Sequence, residues 1–497
     1  MTFSFNLIEE PWIPCITLDG ELVTMSLHGL FNHAHELREI SCETPLMTAA
    51  MYPMILALLH RVFGPESRRE WRALMAAGRF DMSAIEAYLE QWYDRFDLFH
   101  PEYPFYQAHD DRVKVKSVIH IIHSIGNTGT LFTHETDEKS LNLSPAEAAI
   151  QLVTAQSFRT AGLSGLKQKF TDGNYARGVI FWAIGDNIFE TCMLNLIAYP
   201  SSLNPIPHTE LDIPTWEQAE PYKPREFPYG YLDYLTWMNN RIELQPEALG
   251  GRISVRQMTI APGLTMSAEV LSPQKQYFGR EDKKRGYVWS FLYFDESKDL
   301  WRDYHSLINL SDEHAKSPVV LQWLSTVAED DVVRLSAMGM LAQQAKPIFY
   351  RHTRMPLPTS LLTDVFKQDL VNQAVESASE VANKLKWAID TLAERILMRG
   401  GDDKPDKVTR NNLVQQWDGL SVYWGGLEPH FWDFIVALSQ DDTQAIDTWH
   451  DILMAKAHEA LDDVMKMTGT DAFALRAQVD ATRILNSSLK KLFDKEQ

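Results

Sequence analysis

Val381-Ala382-Asn383-Lys384-Leu385-Lys386-Trp387-Ala388-Ile389-Asp390-Thr391-Leu392-Ala393-Glu394-Arg395-Ile396 sets the class of this fold. Val381, Leu385, Ala388, Leu392 and Ile396 recur every three or four residues, which places them on one face of an α-helix. Gly400 and Gly401 follow and end it, because glycine closes a helix in the left-handed conformation without strain. Further helices are predicted at about 407–424, 429–438, 443–467 and 471–493. Short connections between them favour antiparallel neighbours, so residues 358–497 read as a four-helix bundle.

Upstream the pattern is mixed. Residues 242–270 alternate as strands do, with a turn at Gly250-Gly251. Trp12, Ile13, Cys15 and Ile16 precede Asp19-Gly20, and Leu22 and Val23 follow, a hairpin signal because both turn residues tolerate positive φ. Residues 26–35 and 46–63 have helical spacing, and Gly64-Pro65 stops the second. Ser144-Pro145-Ala146-Glu147 predicts a capped helix start. Seven prolines between Pro200 and Pro228 exclude regular helix or central strand there. The predicted fold is α+β: a large mixed domain over 1–357, then the helical bundle over 358–497.

Of the 497 residues, 45% are hydrophobic and 23% charged, which excludes global disorder. The net charge of −20 excludes a uniformly basic nucleic-acid coat, so any such contact must come from local patches. Cys15, Cys42 and Cys192 form no CxxC pair, which excludes a Cys₄ zinc site and predicts a reducing, cytoplasmic compartment. The N-terminal residues lack the pattern of a signal peptide. The apolar stretch 178–200 is interrupted by Asp186, Asn187 and Glu190, so no membrane span is predicted.

Catalytic signatures are absent: no P-loop, no dinucleotide fingerprint, no HExxH and no GxSxG. His120 and His123 stand three apart without a third ligand. Asp447, His450, Asp451 and His458 share one helical face, which could seed a metal-dependent nuclease, but no second His–Asp helix completes it. Lys275, Arg280, Lys283, Lys284 and Arg285, interleaved with Tyr277 and Phe278, suit either phosphate contact or a solvated hairpin tip. Two small-residue loops, 126–144 and 157–165, stand out, the second followed by Lys167 and Lys169. This pattern points to recognition, not bond breaking.

Phe5-Asn6-Leu7-Ile8-Glu9-Glu10-Pro11-Trp12-Ile13-Pro14 resembles the signature of the CasA family, the large subunit of the type I-E CRISPR surveillance complex, Cascade. The resemblance continues at Asp94-Arg95-Phe96, Tyr103-Pro104-Phe105-Tyr106-Gln107, Leu163-Ser164-Gly165, Ala176-Arg177-Gly178, Tyr234-Leu235-Thr236-Trp237 and Gln343-Gln344-Ala345-Lys346. It implies a protein that is not an enzyme. Such a subunit binds duplex DNA, recognises the protospacer-adjacent motif from the minor groove, helps open the duplex for guide-RNA pairing and recruits a helicase–nuclease. Its implied partners are the guide RNA, the other Cascade subunits, the DNA target and that helicase–nuclease. No membrane and no cofactor are implied.

By the same resemblance, the loop 126–144 reaches the guide-RNA handle, with Asn127, Thr128, Phe132 and His134 as its contacts. A glycine loop at Arg159, Thr160, Ala161 and Gly162 approaches the motif. A wedge hairpin carries Gln343, Gln344 and Ala345, with Lys346 beside it. Lys167, Lys169, Arg177, Lys283, Lys284 and Arg285 are expected to line the DNA path. Physical chemistry agrees with these roles: small residues let main chain enter a groove about 6 Å wide. A glutamine can bond the edges of bases it parts. On spacing alone Gln343-Gln344 would be an ordinary polar turn. Relatives with a cysteine cluster near mid-chain differ from this sequence, which has none at 245–252, so no metal is expected. The competing readings are a nuclease using the His/Asp face of 447–458, and a plain helical scaffold.

Overall fold

The computed structural model describes residues 3–122, 141–284, 286–295, 298–328, 331–343, 346–401, 404–440 and 442–493, without the side chains of 342, 343 and 346–348. Helices and strands are mixed through the first part of the chain, and long helices fill the last. The chain divides into two compact units. The first comprises Met1–Glu296, Leu310–Glu329 and Val333–Met355, and the second Ser297–Asn309, Asp330–Val332 and Pro356–Gln497.

In the first unit, the motifs that carried the resemblance knot together. Leu7 N–H donates to Phe96 O at 2.9 Å and Leu98 N–H to Phe5 O at 3.0 Å. The Asn6 amide donates to Tyr93 O and its oxygen accepts from Ile8 N–H. Phe96 stacks on Phe105 at 5.4 Å, and Gln107 joins Leu98 O to Leu244 N–H. Trp12 is fully buried and its indole N–H donates to Leu7 O at 3.0 Å. The expected hairpin follows, Ile13–Thr17 pairing with Leu22–Met25 across Gly20 at φ +91°.

The helix Pro45–Val62 starts on a Thr44 cap and is buried along most of its length. It is apolar and long enough to cross a membrane, but its burial marks it as the core helix of this unit. Ser144 and Glu147 form the predicted reciprocal cap on the helix Pro145–Phe158. Among the described residues there are four three-stranded sheets. One joins Asn240–Leu249 and Arg252–Pro262, the predicted alternating strands, to a short third strand. Another places Val179–Ile184 beside Val332–Gln343, which in turn lies beside Lys346–Pro358. Every side chain of Val179–Ile184 is buried, so the period-two pattern that would have revealed a strand is missing.

The second unit holds four long helices, Val365–Met398, Gly419–Leu438, Asp442–Lys466 and Ala472–Phe493, with a shorter one at Lys407–Trp417. Val381, Leu385, Ala388 and Leu392 are all buried, as their spacing requires. Trp449 sits at the centre among Phe431, Phe434 and Trp301, its indole N–H on Ala374 O at 3.0 Å. Trp301 explains why the segment Ser297–Asn309 belongs to this unit. The sequence reading ran one helix to about 424 and began another at Pro429. The chain instead breaks at Asp418, φ +48°, and continues through Pro429 to Leu438. Proline strains a helix by crowding the carbonyl four residues back. Here that residue is Gly425.

Candidate nucleic-acid interface

Residues 162–170 form a closed loop. Gly162 N–H donates to Phe170 O at 3.2 Å and Phe170 N–H returns to Gly162 O at 3.0 Å. Ser164 and Gln168 draw the tip together, and Gly165 takes φ +81° at its bend. Leu163 is 80% exposed, and Lys167 and Lys169 are exposed beside it. An apolar tip flanked by cations is the chemistry of a minor-groove contact.

The residues before the loop do something other than the sequence reading expected. The Arg159 guanidinium donates inward to His120 O at 2.9 Å and covers the Phe170 ring at 4.5 Å. Burial pushes it down to about 10. Thr160 is buried. The amides of Ala161 and Gly162, expected to approach base edges, are committed within the chain, to Asp172 and Phe170. The exposed part of this loop is its tip, at Leu163, Lys167 and Lys169.

Arg177 lies beside Asp172, Nε to Oδ2 at 3.2 Å. Lys283 and Lys284 are exposed where the strands Tyr277–Asp282 and Gly286–Phe291 meet; Arg285 lies outside the described residues. Lys275 leaves this basic cluster altogether. It is buried, donates to Asn174 O at 2.7 Å, lies 4.8 Å from the Phe291 ring, and is pushed down to about 7 by burial. The covering ring comes from the far strand of the hairpin, which no local pattern reveals.

Asn127, Thr128, Phe132 and His134 lie outside the described residues, as do Gln344 and Ala345. Gln343 and Lys346 are described only as strand ends. Their backbone placement is still informative. Val332–Gln343 runs antiparallel to Val179–Ile184 with Gly339 opposite Val179. Gln343 stands four residues farther on, past Val179. On that side the other strand leads back through Gly178 and Arg177 to Asp172 and the loop. Loop and hairpin are thus built out from the same end of one strand pair.

Sequence reasoning missed a cleft beside the loop, about 790 Å³ in volume. Its walls include Arg112, Tyr222, Arg225, Arg241 and the turn Gly263–Thr265, and Gln168 of the loop anchors to Gly263 O at 2.8 Å. His109, on its rim, is raised to about 9 by the carboxylates of Glu243 and Asp111. Arg241 covers the Tyr222 ring at 4.4 Å. These parts are scattered over 150 residues of sequence, so only the fold assembles them.

The His/Asp face of the second unit gains no support as a metal site. Asp447, His450 and Asp451 line one pocket with Phe493, whose ring lies 4.5 Å from His450, and His458 is not among its lining residues. Among the described residues, no three His, Cys, Asp or Glu side chains are grouped to hold a metal ion.

The sequence model of CRISPR-associated protein Cse1 matches residues 6–460. The CRISPR-associated protein CasA/Cse1 of Thermus thermophilus is 28% identical, over 95% of both chains. Among solved structures, Cse1 from Acidimicrobium ferrooxidans superposes with a TM-score of 0.84 at 23% identity, over 99% of both chains. A chain of a CRISPR RNA-guided surveillance complex gives 0.72 at 20% identity, over 99% of both. With its motifs knotted into one core and the match spanning nearly its whole length, the chain belongs to the CRISPR-associated Cse1 family.

Proposed function

We propose that this protein is the large, non-catalytic subunit of a cytoplasmic type I-E Cascade complex. It binds duplex DNA, reads the protospacer-adjacent motif from the minor groove and helps open the duplex for guide-RNA pairing. The loop 162–170 does the reading, through Leu163 at its tip and Lys167 and Lys169 on neighbouring phosphates. The hairpin turn carrying Gln343, Gln344, Ala345 and Lys346 parts the strands. Residues 126–144 meet the handle of the guide RNA. The subunit also recruits the helicase–nuclease of the interference step.

One observation supports this most: in the register of Val332–Gln343 with Val179–Ile184, the glutamine hairpin extends past Val179, the end at which the chain arrives from the loop. Two elements that inspect and open adjacent steps of a duplex must lie side by side. The net charge of −20 fits a subunit whose partners neutralise most of the phosphate charge.

The test is a footprint of the assembled complex on DNA with randomised flanks. The native protein is expected to enrich one short flank. Gln344→Ala is expected to keep that enrichment but slow strand opening about tenfold, the rate equivalent of ~1.4 kcal/mol in the barrier. A flat flank profile for the native complex, or unchanged opening by the variant, would count against the proposal.

A second expectation concerns salt. Lys283→Glu with Lys284→Glu is expected to flatten the dependence of log affinity on log salt by about 2, since each lost phosphate contact removes about 0.9. An unaltered slope would remove these lysines from the DNA path.

A further inference from the structure

The geometry points to Asp172 as the positioning residue that sets the pose of the recognition loop, an inference that deepens the reading of residues 162–170 given above. The loop closes on two backbone hydrogen bonds between Gly162 and Phe170, and Gln168 ties its tip to Gly263 O. These ties hold the neck and one side of the tip, and leave the Ala161 amide, next to the neck, to be fixed by another group. The next tie is made by a side chain: Asp172 Oδ1 accepts the Ala161 N–H at 2.8 Å. A hydrogen bond to a carboxylate is roughly twice as strong as one between neutral groups.

The carboxylate is itself held. Its other oxygen, Oδ2, faces Arg177 Nε at 3.2 Å. The buried Lys275 feels the same carboxylate, which partly offsets the cost of burying its charge. The backbone is fixed on the following residue. Gly173 N–H donates to Arg159 O at 2.8 Å, and a Cβ on Gly173 would meet Ser157 O at 2.4 Å. Only glycine permits that approach, so the Asp172 main chain has one distance from the stem opposite. Arg177 then leads, through Gly178, into Val179 of the strand pair that carries the glutamine hairpin. Asp172 thus ties the reading loop to the platform of the opening element.

A residue that merely stabilised the fold would alter unfolding and leave recognition alone, so the test separates the two. Asp172→Ala, Asp172→Asn and Arg177→Met are made in the full-length subunit. Amide exchange of residues 161–170 is followed in the free protein. Affinity of the assembled complex is measured for duplexes with and without the motif. Asp172→Ala is expected to speed exchange in the loop about tenfold and to cut the ratio of the two affinities about tenfold. Affinity for single-stranded DNA complementary to the guide stays unchanged. Asp172→Asn keeps an acceptor for the Ala161 amide and restores most of both. Arg177→Met leaves the carboxylate in place but unclamped, gives an intermediate effect, and serves if Asp172→Ala does not fold. Unchanged loop exchange overturns the inference, as does Asp172→Asn behaving like Asp172→Ala. A native complex that binds both duplexes equally would overturn the functional reading instead, and the exchange result would still decide the role of Asp172.

Discussion

Replacing residues 163–169 by Gly-Gly is expected to weaken binding of the assembled complex to motif-bearing duplex about 100-fold. The deletion leaves Gly162 and Phe170 as a hydrogen-bonded pair, and a two-residue glycine turn joins such a pair without strain. It removes Lys167 and Lys169, each worth about 1 kcal/mol at a phosphate, and the apolar contact of Leu163. Together these amount to about 3 kcal/mol, or about 100-fold in affinity. Thermal unfolding of the subunit is expected to change little, because the removed side chains are mostly exposed and surface changes seldom exceed about 0.5 kcal/mol. Affinity for guide-complementary single strands should also persist. Motif-dependent binding that survives the excision, measured by titration at one fixed salt concentration, would transfer the reading role to another element.

The largest effect on stability is expected from Trp12→Ala, at about 4 kcal/mol. The side chain is fully buried among Leu7, Leu27 and their neighbours, and truncating a buried tryptophan leaves a cavity that packing only partly refills. The substitution also removes the indole N–H donated to Leu7 O, a carbonyl that keeps the Leu27 N–H at 3.0 Å, so the lost hydrogen bond adds a smaller share. Trp12→Phe keeps most of the apolar area and loses only the donor, so about 1–2 kcal/mol is expected. Urea unfolding of the free subunit, read as a shift of midpoint at constant slope, measures both. A loss under about 1 kcal/mol for the alanine variant would contradict the packing described for the N-terminal knot.

What the sequence made legible was local. The Asp19-Gly20 hairpin, the Ser144–Glu147 cap and the apolar stripe from Val381 each need only neighbours within a few residues. The failures came where a partner lies far along the chain. Val179–Ile184 is a strand with no alternation because both faces are covered, and its partner Arg334–Gly339 follows 150 residues later. The break at Asp418 escaped notice because it rests on one left-handed residue, whereas Pro429 drew attention and lies inside the helix Gly419–Leu438.

The candidate site divides in the same way. Resemblance pointed to residues 159–162 as the loop that approaches the motif. The fold turns Arg159 inward, occupies the Ala161 and Gly162 amides, and leaves Leu163, Lys167 and Lys169 exposed. Lys275 looked like a member of a basic run until Phe291 closed over it. Asp172 carried no sequence signal, since an isolated aspartate acquires meaning only from the amide it meets eleven residues upstream. The cleft between Arg112, Arg241 and Gly263 likewise exists only once the strands are paired.

On the proposed reading, the antiparallel register of Gly339 with Val179 would also make the protein a ruler. A strand advances about 3.3 Å per residue, close to the 3.4 Å between successive nucleotides along one DNA strand. If the loop samples base pairs and the hairpin parts them, the interval between the two would be written in peptide units, independent of any guide. Lengthening both arms of the hairpin by two residues would keep every side chain on its face and carry the point of melting about two base pairs along the duplex.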